Sequence, residues 1–140
     1  MRKIYIGGTF DYVHEGHREL FEDAKKIAGL EGMIVLAVNS DEFVQRYKGL
    51  TPTMPAKARL YHACEALGNY PHEAYVVNHD DQRRLLERVR PDFVIHGTDW
   101  TGEGLARNFG VDYKWFTDRD ILFVYTDRRA GVSSTDLRNK

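Results

Sequence analysis

Short apolar segments rich in β-branched and aromatic residues alternate along this chain with longer segments whose apolar residues recur at helical spacing. Residues 3–6 form the first apolar segment, and Gly7 and Gly8 close it. A helical pattern over residues 16–30 comes next. Further strands are predicted at 33–38, 74–77, 93–95 and 121–125, and further helices at 55–67 and 81–90. Because the links between strands are long enough for crossover helices, the alternation predicts a parallel sheet.

The expected fold is therefore α/β, with a single doubly wound, Rossmann-like parallel sheet of about five strands and helices on both faces. One domain is expected over residues 1–140, because no repeat, low-complexity tract or linker divides the chain. Residues 98–120 contain three glycines and predict a long functional loop with a single helical turn. A last helix is predicted to begin near Ser133.

The charge balance and the cysteine content exclude several classes of function. Lys and Arg total 20 against 21 Asp and Glu, so no bulk field attracts a nucleic-acid backbone or an anionic membrane. The longest apolar runs are far shorter than the roughly 20 residues that span a bilayer, and the first residues lead into a strand rather than an export signal. The one cysteine, Cys64, excludes an internal disulfide. We expect a cytoplasmic protein without nucleic-acid or membrane partners.

Polar residues follow four of the five predicted strands. They occupy residues 8–17, 39–48, 96–100 and 126–136. In open parallel sheets, ligands bind in the crevice beyond the carboxyl ends of the strands. The sequence therefore predicts a binding site at this edge of the sheet.

His14 and His17 are three residues apart at the predicted start of the first helix. This spacing differs from that of a zinc-protease helix, and no third ligand has a recognisable partner spacing, so we predict no metal bound by these side chains. Two imidazoles on one side of a helix's first turn, beside the positive end of its dipole, form an anion site. The alternative is that the two rings only cap or pack at the helix start.

A second helix start is predicted near the end of the chain. Ser133 is a hydroxyl N-cap with Asp136 three residues later, and Arg128 and Arg129 precede it. Fixed cations beside a helix N-terminus bind phosphate groups. Two such helix starts facing one crevice suit a triphosphate, while the P-loop and dinucleotide-binding fingerprints are absent from the sequence.

Both ends of the chain resemble the paired signature of the HxGH nucleotidyltransferase superfamily, specifically its cytidylyltransferase-like branch. The first motif is Gly8-Thr9-Phe10-Asp11 with His14, Gly16 and His17, and the second is Arg128 followed by residues 131–135. The resemblance covers nearly the whole chain. Residues 40–43, with Gly97, Asp99 and Trp100, are further similar to the glycerol-3-phosphate and ethanolamine-phosphate cytidylyltransferases.

The resemblance implies transfer of a nucleoside monophosphate to a phosphorylated small molecule, with release of pyrophosphate and without a covalent enzyme intermediate. The leading expectation is CMP transfer from CTP to a small phosphorylated alcohol such as glycerol 3-phosphate. The alternative is an adenylyltransferase acting on a sugar phosphate, FMN or a phosphopantetheine-like acceptor, because residues 37–41 with Lys48 and Gly49 look equally like the heptose-phosphate adenylyltransferases. Mg²⁺ bound through the phosphates and a homodimer are also implied.

The resemblance also implies a role for each matching residue. The catalytic residues are His14, His17, Lys48 and Arg128. The nucleotide-binding residues are Gly8, Thr9, Phe10, Gly16, Asp99, Ser133 and Ser134. The acceptor-binding residues are Asp11, Trp100 and Arg59, and Arg59 is named in place of an arginine that the cytidylyl branch has just after the middle helix and that this sequence lacks. Two rival interpretations are a nucleotide-binding regulatory module without turnover and a flavodoxin-like domain without this site.

Overall fold

A computed structural model describes residues 1–49, 51–97 and 101–126, except for the side chains of residues 47, 48 and 79. Within these ranges the strands are β1 (Lys3–Gly8), β2 (Met33–Asn39), β3 (His72–Val77), β4 (Phe93–Gly97) and β5 (Leu122–Thr126). They form a single sheet with the order β3-β2-β1-β4-β5, in which every neighbouring pair is parallel. The prediction of a Rossmann-like α/β fold with a parallel sheet is confirmed.

Helices cover both faces of the sheet. They are α1 (Glu15–Ala28), α2 (Asp41–Lys48), α3 (Ala56–Leu67), α4 (Gln82–Val89), α5 (Gly102–Asn108) and α6 (Tyr113–Thr117), with a 3-10 turn at His79–Asp81. Side chains alternate along β1, so Ile4 and Ile6 join the core beneath α1 and α3, while Tyr5 joins the core beneath α4, α5 and α6. No helix among the described residues is long and apolar enough to cross a membrane.

Two helices lie in the segment that the sequence predicted to be a long loop. The prediction of one helical turn within residues 98–120 is wrong, because α5 and α6 both form there. Leu105, Ala106 and Phe109 have helical spacing and are buried, and Phe116 is fully buried. Burial of these apolar side chains, worth about 1.5–3 kcal/mol for each large one, outweighs the helix-breaking tendency of the glycines.

The other elements lie within a few residues of their predicted positions, with one omission. The sequence predicted no helix between β2 and α3, yet α2 begins directly after Ser40, whose Oγ accepts a hydrogen bond from the Phe43 N–H at 3.1 Å. Ser40 is a favourable N-cap residue and is the sequence signal for the start of this helix. The helix predicted near Ser133 lies outside the described residues.

Candidate active site

The loop that follows β1 brings a tightly packed aromatic ring to the carboxyl edge of the sheet. Phe10 is buried and has a φ of 53°, which is uncommon for a residue other than glycine. Its ring centroid lies 5.1 Å from that of His17. A Cβ atom on Gly8 would lie 3.0 Å from two carbons of the Phe10 ring, so only glycine allows the ring to pack this closely.

The two predicted catalytic histidines form a reciprocal cap at the start of α1. The Nδ1 atom of His14 accepts a hydrogen bond from the Gly16 N–H at 3.1 Å, and the His14 N–H donates to Nδ1 of His17 at 3.3 Å. The two rings are stacked, with centroids 4.0 Å apart and planes 19° from parallel. This is the capping-box arrangement, with imidazoles in place of the usual hydroxyl and carboxylate.

The cap determines which nitrogen of each ring carries the proton. An Nδ1 atom that accepts a hydrogen bond is unprotonated, so in each neutral ring the proton is on Nε2. In this tautomer Nε2–H is the ring donor of each histidine. Both rings stand at the N-terminal end of a 14-residue helix, where the helix dipole also favours negative charge. The capping alternative and the anion-site interpretation are thus compatible.

Asp11 connects the loop after β1 to the segment that precedes α3. Its side chain is fully buried, and its two carboxylate oxygens accept hydrogen bonds from the backbone N–H groups of Thr53 (3.0 Å) and Met54 (3.1 Å). These charge-assisted bonds fix residues 53–54 beside residues 9–14, the loop between β1 and α1 that is here called the histidine loop. The predicted contact of Asp11 with the acceptor stays a prediction.

Arg59 lies beneath the site and is fully buried. Its guanidinium donates to the carbonyl oxygens of Met54 (3.0 Å), Thr9 (2.7 Å) and Asn39 (2.8 Å), and to Oδ1 of Asp41 (2.6 Å). These bonds use four of the five N–H donors of an arginine, and they join the ends of β1 and β2 to α3. Arg59 thus links the segments that follow β1 and β2 to α3 through hydrogen bonds. Its predicted contact with the acceptor stays a prediction.

Eight of the predicted site residues come together at one edge of the sheet. They are Gly8, Thr9, Phe10, Asp11, His14, Gly16, His17 and Arg59. Lys48 is the last residue of α2, but its side chain is not described. Asp99, Trp100, Arg128, Ser133 and Ser134 lie outside the described residues. The contacts with the nucleotide and the acceptor that the sequence predicted for these residues stay predictions.

Sequence reasoning missed the partners that hold the predicted residues in place. Asn39 donates to Thr9 Oγ1 at 3.3 Å, and Asp41 pairs with Arg59. Asn39 and Asp41 were visible as polar residues after a strand, but their partners are distant in sequence. The backbone N–H groups that bind Asp11 carry no sequence signal at all, because every residue except proline has one.

The described residues contain no group of three or more His, Cys, Asp or Glu side chains that could hold a metal ion. Both oxygens of Asp11 accept from backbone N–H groups, so this carboxylate is already hydrogen-bonded. Mg²⁺ often binds mainly through substrate phosphates rather than in a protein cage, and the Mg²⁺ implied by the resemblance stays a prediction.

Comparison with known proteins gives one family and several relatives. Residues 5–140 match the family model described as cytidylyltransferase-like. An FAD synthase of Korarchaeum cryptofilum is 33% identical over 107 residues, which make up 76% of this chain and 71% of that protein. The bifunctional protein HldE of Citrobacter koseri is 29% identical over 140 residues, which cover 98% of this chain but only 27% of that protein.

A solved structure shares the fold. The lipopolysaccharide core biosynthesis protein of Thermoplasma volcanium superimposes with a TM-score of 0.64 and 22% identity, covering 89% of this chain and 96% of that one. At this level of identity the similarity supports the parallel α/β architecture alone.

Proposed function

The chain belongs to the cytidylyltransferase-like family of nucleotidyltransferases, and from that premise we propose that it transfers AMP from ATP to FMN, forming FAD and pyrophosphate. The family match confirms the resemblance seen in the two sequence motifs. The observation that carries the choice of substrates is the similarity to an FAD synthase over three-quarters of the chain. This is the adenylyl alternative of the sequence analysis rather than its leading expectation.

The proposed reaction needs positioning and charge stabilisation more than covalent chemistry by the protein. A phosphate oxygen of FMN attacks the α-phosphorus of ATP, the bond from that phosphorus to the bridging oxygen of the β-phosphate breaks, and pyrophosphate leaves with the bonding electrons. The attacking oxygen already carries negative charge, so no proton has to be removed from it. In-line transfer of this kind depends on holding the two phosphates together and stabilising the oxygens around phosphorus.

The paired histidines support this role. His14 and His17 would donate from Nε2–H at the N-terminal end of α1, and the reciprocal cap holds both rings in place. Donors fixed in advance stabilise developing charge without reorganising during the reaction. Lys48 and Arg128 are proposed to add positive charge, and Ser133 and Ser134 to hold the β- and γ-phosphates. Mg²⁺, bound through the phosphates, would neutralise charge on the leaving pyrophosphate.

CMP transfer to glycerol 3-phosphate has weaker support. Its distinguishing residues are Asp99 and Trp100, which lie outside the described residues, and the relatives reported above are not glycerol-3-phosphate cytidylyltransferases. The homodimer implied by the resemblance remains part of the proposal, and light scattering during size-exclusion chromatography tests it.

A matrix of nucleotides and acceptors tests the proposed function. ATP, CTP, GTP and UTP are each combined with FMN, glycerol 3-phosphate, a sugar 1-phosphate and 4′-phosphopantetheine, and pyrophosphate release is measured in the presence of Mg²⁺. We expect the fastest release with ATP and FMN. Release with CTP and glycerol 3-phosphate but not with ATP and FMN would restore the original expectation. Nucleotide binding without release from any pair would instead favour the regulatory-module interpretation.

A further inference from the structure

A groove of about 550 Å³ opens between α1 and α3, next to the histidine loop. Tyr12 and Val13 line it on the side of the loop, together with Met54 from the segment before α3. Tyr12 and Val13 directly precede His14, so the groove begins within two residues of a proposed catalytic side chain. It is therefore placed where the part of an acceptor remote from its phosphate can lie.

Hydrogen bonds of the histidine loop also hold in place the side of the groove that Tyr12, Val13 and Met54 line. The Tyr12 hydroxyl donates to Thr53 Oγ1 at 3.2 Å, and Asp11 accepts from the N–H groups of Thr53 and Met54. The carbonyl of Met54 accepts from Nε of Arg59 at 3.0 Å. Because these bonds form within the protein, this side of the groove is organised before a ligand arrives, which lowers the entropic cost of binding.

The two helices beside the groove supply groups that can form hydrogen bonds, here called the polar wall. Arg18 of α1 lines the groove, as do His62, Glu65 and Ala66 of α3. The groove thus combines the ring of Tyr12 and the carbon atoms of Val13, Met54 and Ala66 with three polar side chains. Ligand sites of roughly 300–1,000 Å³ commonly have this make-up, with apolar surface for contact area and a few polar groups for orientation.

We propose that this groove binds the isoalloxazine ring of FMN, an inference that rests on the function proposed above. Isoalloxazine is planar, with a carbon-rich dimethylbenzene end that suits Tyr12 and Met54 and a hydrogen-bonding pyrimidine end that suits the polar wall. The groove lies beside His14, so the ribityl chain can lead from it to the phosphate that attacks ATP. A three-carbon alcohol phosphate has no group to fill such a groove, whereas a flavin does.

Binding of FMN can be measured separately from turnover by the quenching of flavin fluorescence, because stacking against a tyrosine ring quenches it. FMN is titrated with the full chain in the presence of Mg²⁺ and a non-hydrolysable ATP analogue. Tyr12→Leu removes the aromatic ring, and Ala66→Trp fills the groove from α3. Lys57→Trp is the matched control, since it adds the same side chain at an exposed position of α3 outside the groove.

The expected results separate the groove from the nucleotide site. Ala66→Trp raises the Kd for FMN by about tenfold or more, about 1.4 kcal/mol. Tyr12→Leu weakens FMN binding by roughly three- to tenfold, as expected for loss of an aromatic contact, and abolishes most of the quenching. Both variants leave the KM for ATP nearly unchanged, and Lys57→Trp binds FMN like the wild type. Because Ala66 also touches the core, thermal unfolding of each variant verifies that it is folded.

The outcomes distinguish failure of this inference from failure of the proposed function. If the wild type makes FAD but folded Tyr12→Leu and Ala66→Trp bind FMN normally, the groove assignment is overturned and the proposed function stands. If the wild type makes no FAD but binds FMN in a manner that both variants weaken, the proposed function fails and the groove assignment stands. If FMN does not bind to the wild type, the groove assignment is overturned.

Discussion

The guanidinium of Arg59 lies 2.6 Å from a carboxylate oxygen of Asp41, with the arginine fully buried and half of the aspartate side chain exposed. The same guanidinium also reaches the backbone carbonyls of Thr9 and Asn39. A buried guanidinium that lost these acceptors would be costly, so the loops after β1 and β2 are held in one arrangement over α3. Arg59 thereby positions the loop that leads to the histidines.

Replacing Arg59 by lysine tests this positioning role. Lysine keeps the positive charge but cannot reach acceptors on several segments with a planar fork. We expect Arg59→Lys to lower the free energy of unfolding by about 3 kcal/mol and to reduce kcat. Arg83→Lys is the control, because Arg83 forms an exposed pair with Glu87 and its change should lie within about 0.5 kcal/mol. Urea denaturation measures both, and equal stability of the two variants would contradict the role of Arg59.

The two histidines both cap α1 and are proposed to stabilise phosphate charge, and substitutions can separate these effects. His14→Ala should lose about 1 kcal/mol of stability through the cap, and about 10²- to 10³-fold in kcat through the lost donor. His14→Asn should recover the stability, since asparagine is a good N-cap, and only part of the activity. Denaturation and initial rates measure the two quantities.

A cap on α6, which covers the other face of the sheet from α1, provides the control for the histidine experiment. Asp112 caps α6 by accepting from the Trp115 N–H at 2.9 Å, so Asp112→Ala should cost similar stability without a comparable loss of kcat. If Asp112→Ala reduced kcat as strongly as His14→Ala, the activity loss would be an effect of stability alone.

The close packing of Gly8 against Phe10 predicts a clash that a second substitution relieves. In Gly8→Ala the new Cβ lies 3.0 Å from the Phe10 ring, so the ring, whose centroid is 5.1 Å from that of His17, must shift by a few tenths of an ångström. We expect a loss of stability of about 1–3 kcal/mol, as for overpacking elsewhere, together with lower activity. Leucine at position 10 removes the two ring carbons, so Gly8→Ala combined with Phe10→Leu should be more stable than additivity predicts. Strict additivity would mean that no clash occurs.

The buried hydroxyl of Tyr5 leads us to expect that the stability of the protein falls at alkaline pH. Its hydroxyl is buried and has no hydrogen-bond partner among the described residues, and this burial raises the pKa of the phenol well above its usual value of 10.0. The unfolded chain therefore releases this proton first, and stability that is present below about pH 10 is lost as the pH rises above it. Up to about 1.4 kcal/mol per pH unit is expected from this one group.

Comparing the wild type with Tyr5→Phe isolates this contribution. The variant should match or slightly exceed the wild type at pH 7, because it removes a hydroxyl without a partner. Between pH 10 and pH 11, roughly where tyrosine ionises, the free energy of unfolding should fall less steeply for the variant. Parallel curves for the two proteins would show that Tyr5 ionises equally in both states.

The sheet and the histidine loop were predictable because their signals are local. The apolar run at β1, the glycines that end it and the spacing of His14 and His17 can all be read within a few residues. Helix α5 was missed because Gly102 and Gly104 argued against a helix, and its stability comes from burying Leu105 and Ala106 against distant strands. Tertiary contacts overrode local propensity there.

Asp11 and Arg59 show that, within the site too, contacts between residues distant in sequence could not be predicted. Asp11 was marked by its position in the first motif and Arg59 by the absence of the family's usual arginine, and the structure brings both side chains to the loops after β1 and before α3. The backbone groups that they bind are 42 or more residues away for Asp11, and as far as 50 residues away for Arg59. No pattern of residue types reports contacts of this kind, so sequence located these side chains without revealing what holds them.

Formation of FAD tests the central claim most directly. The full chain is incubated with ATP, FMN and Mg²⁺, and FAD and pyrophosphate are quantified after chromatographic separation, with His14→Ala as the inactive control. We expect FAD and pyrophosphate in equal amounts from the wild type, and little of either from the variant. Absence of FAD from the wild type, under conditions where CTP and glycerol 3-phosphate release pyrophosphate, would contradict it.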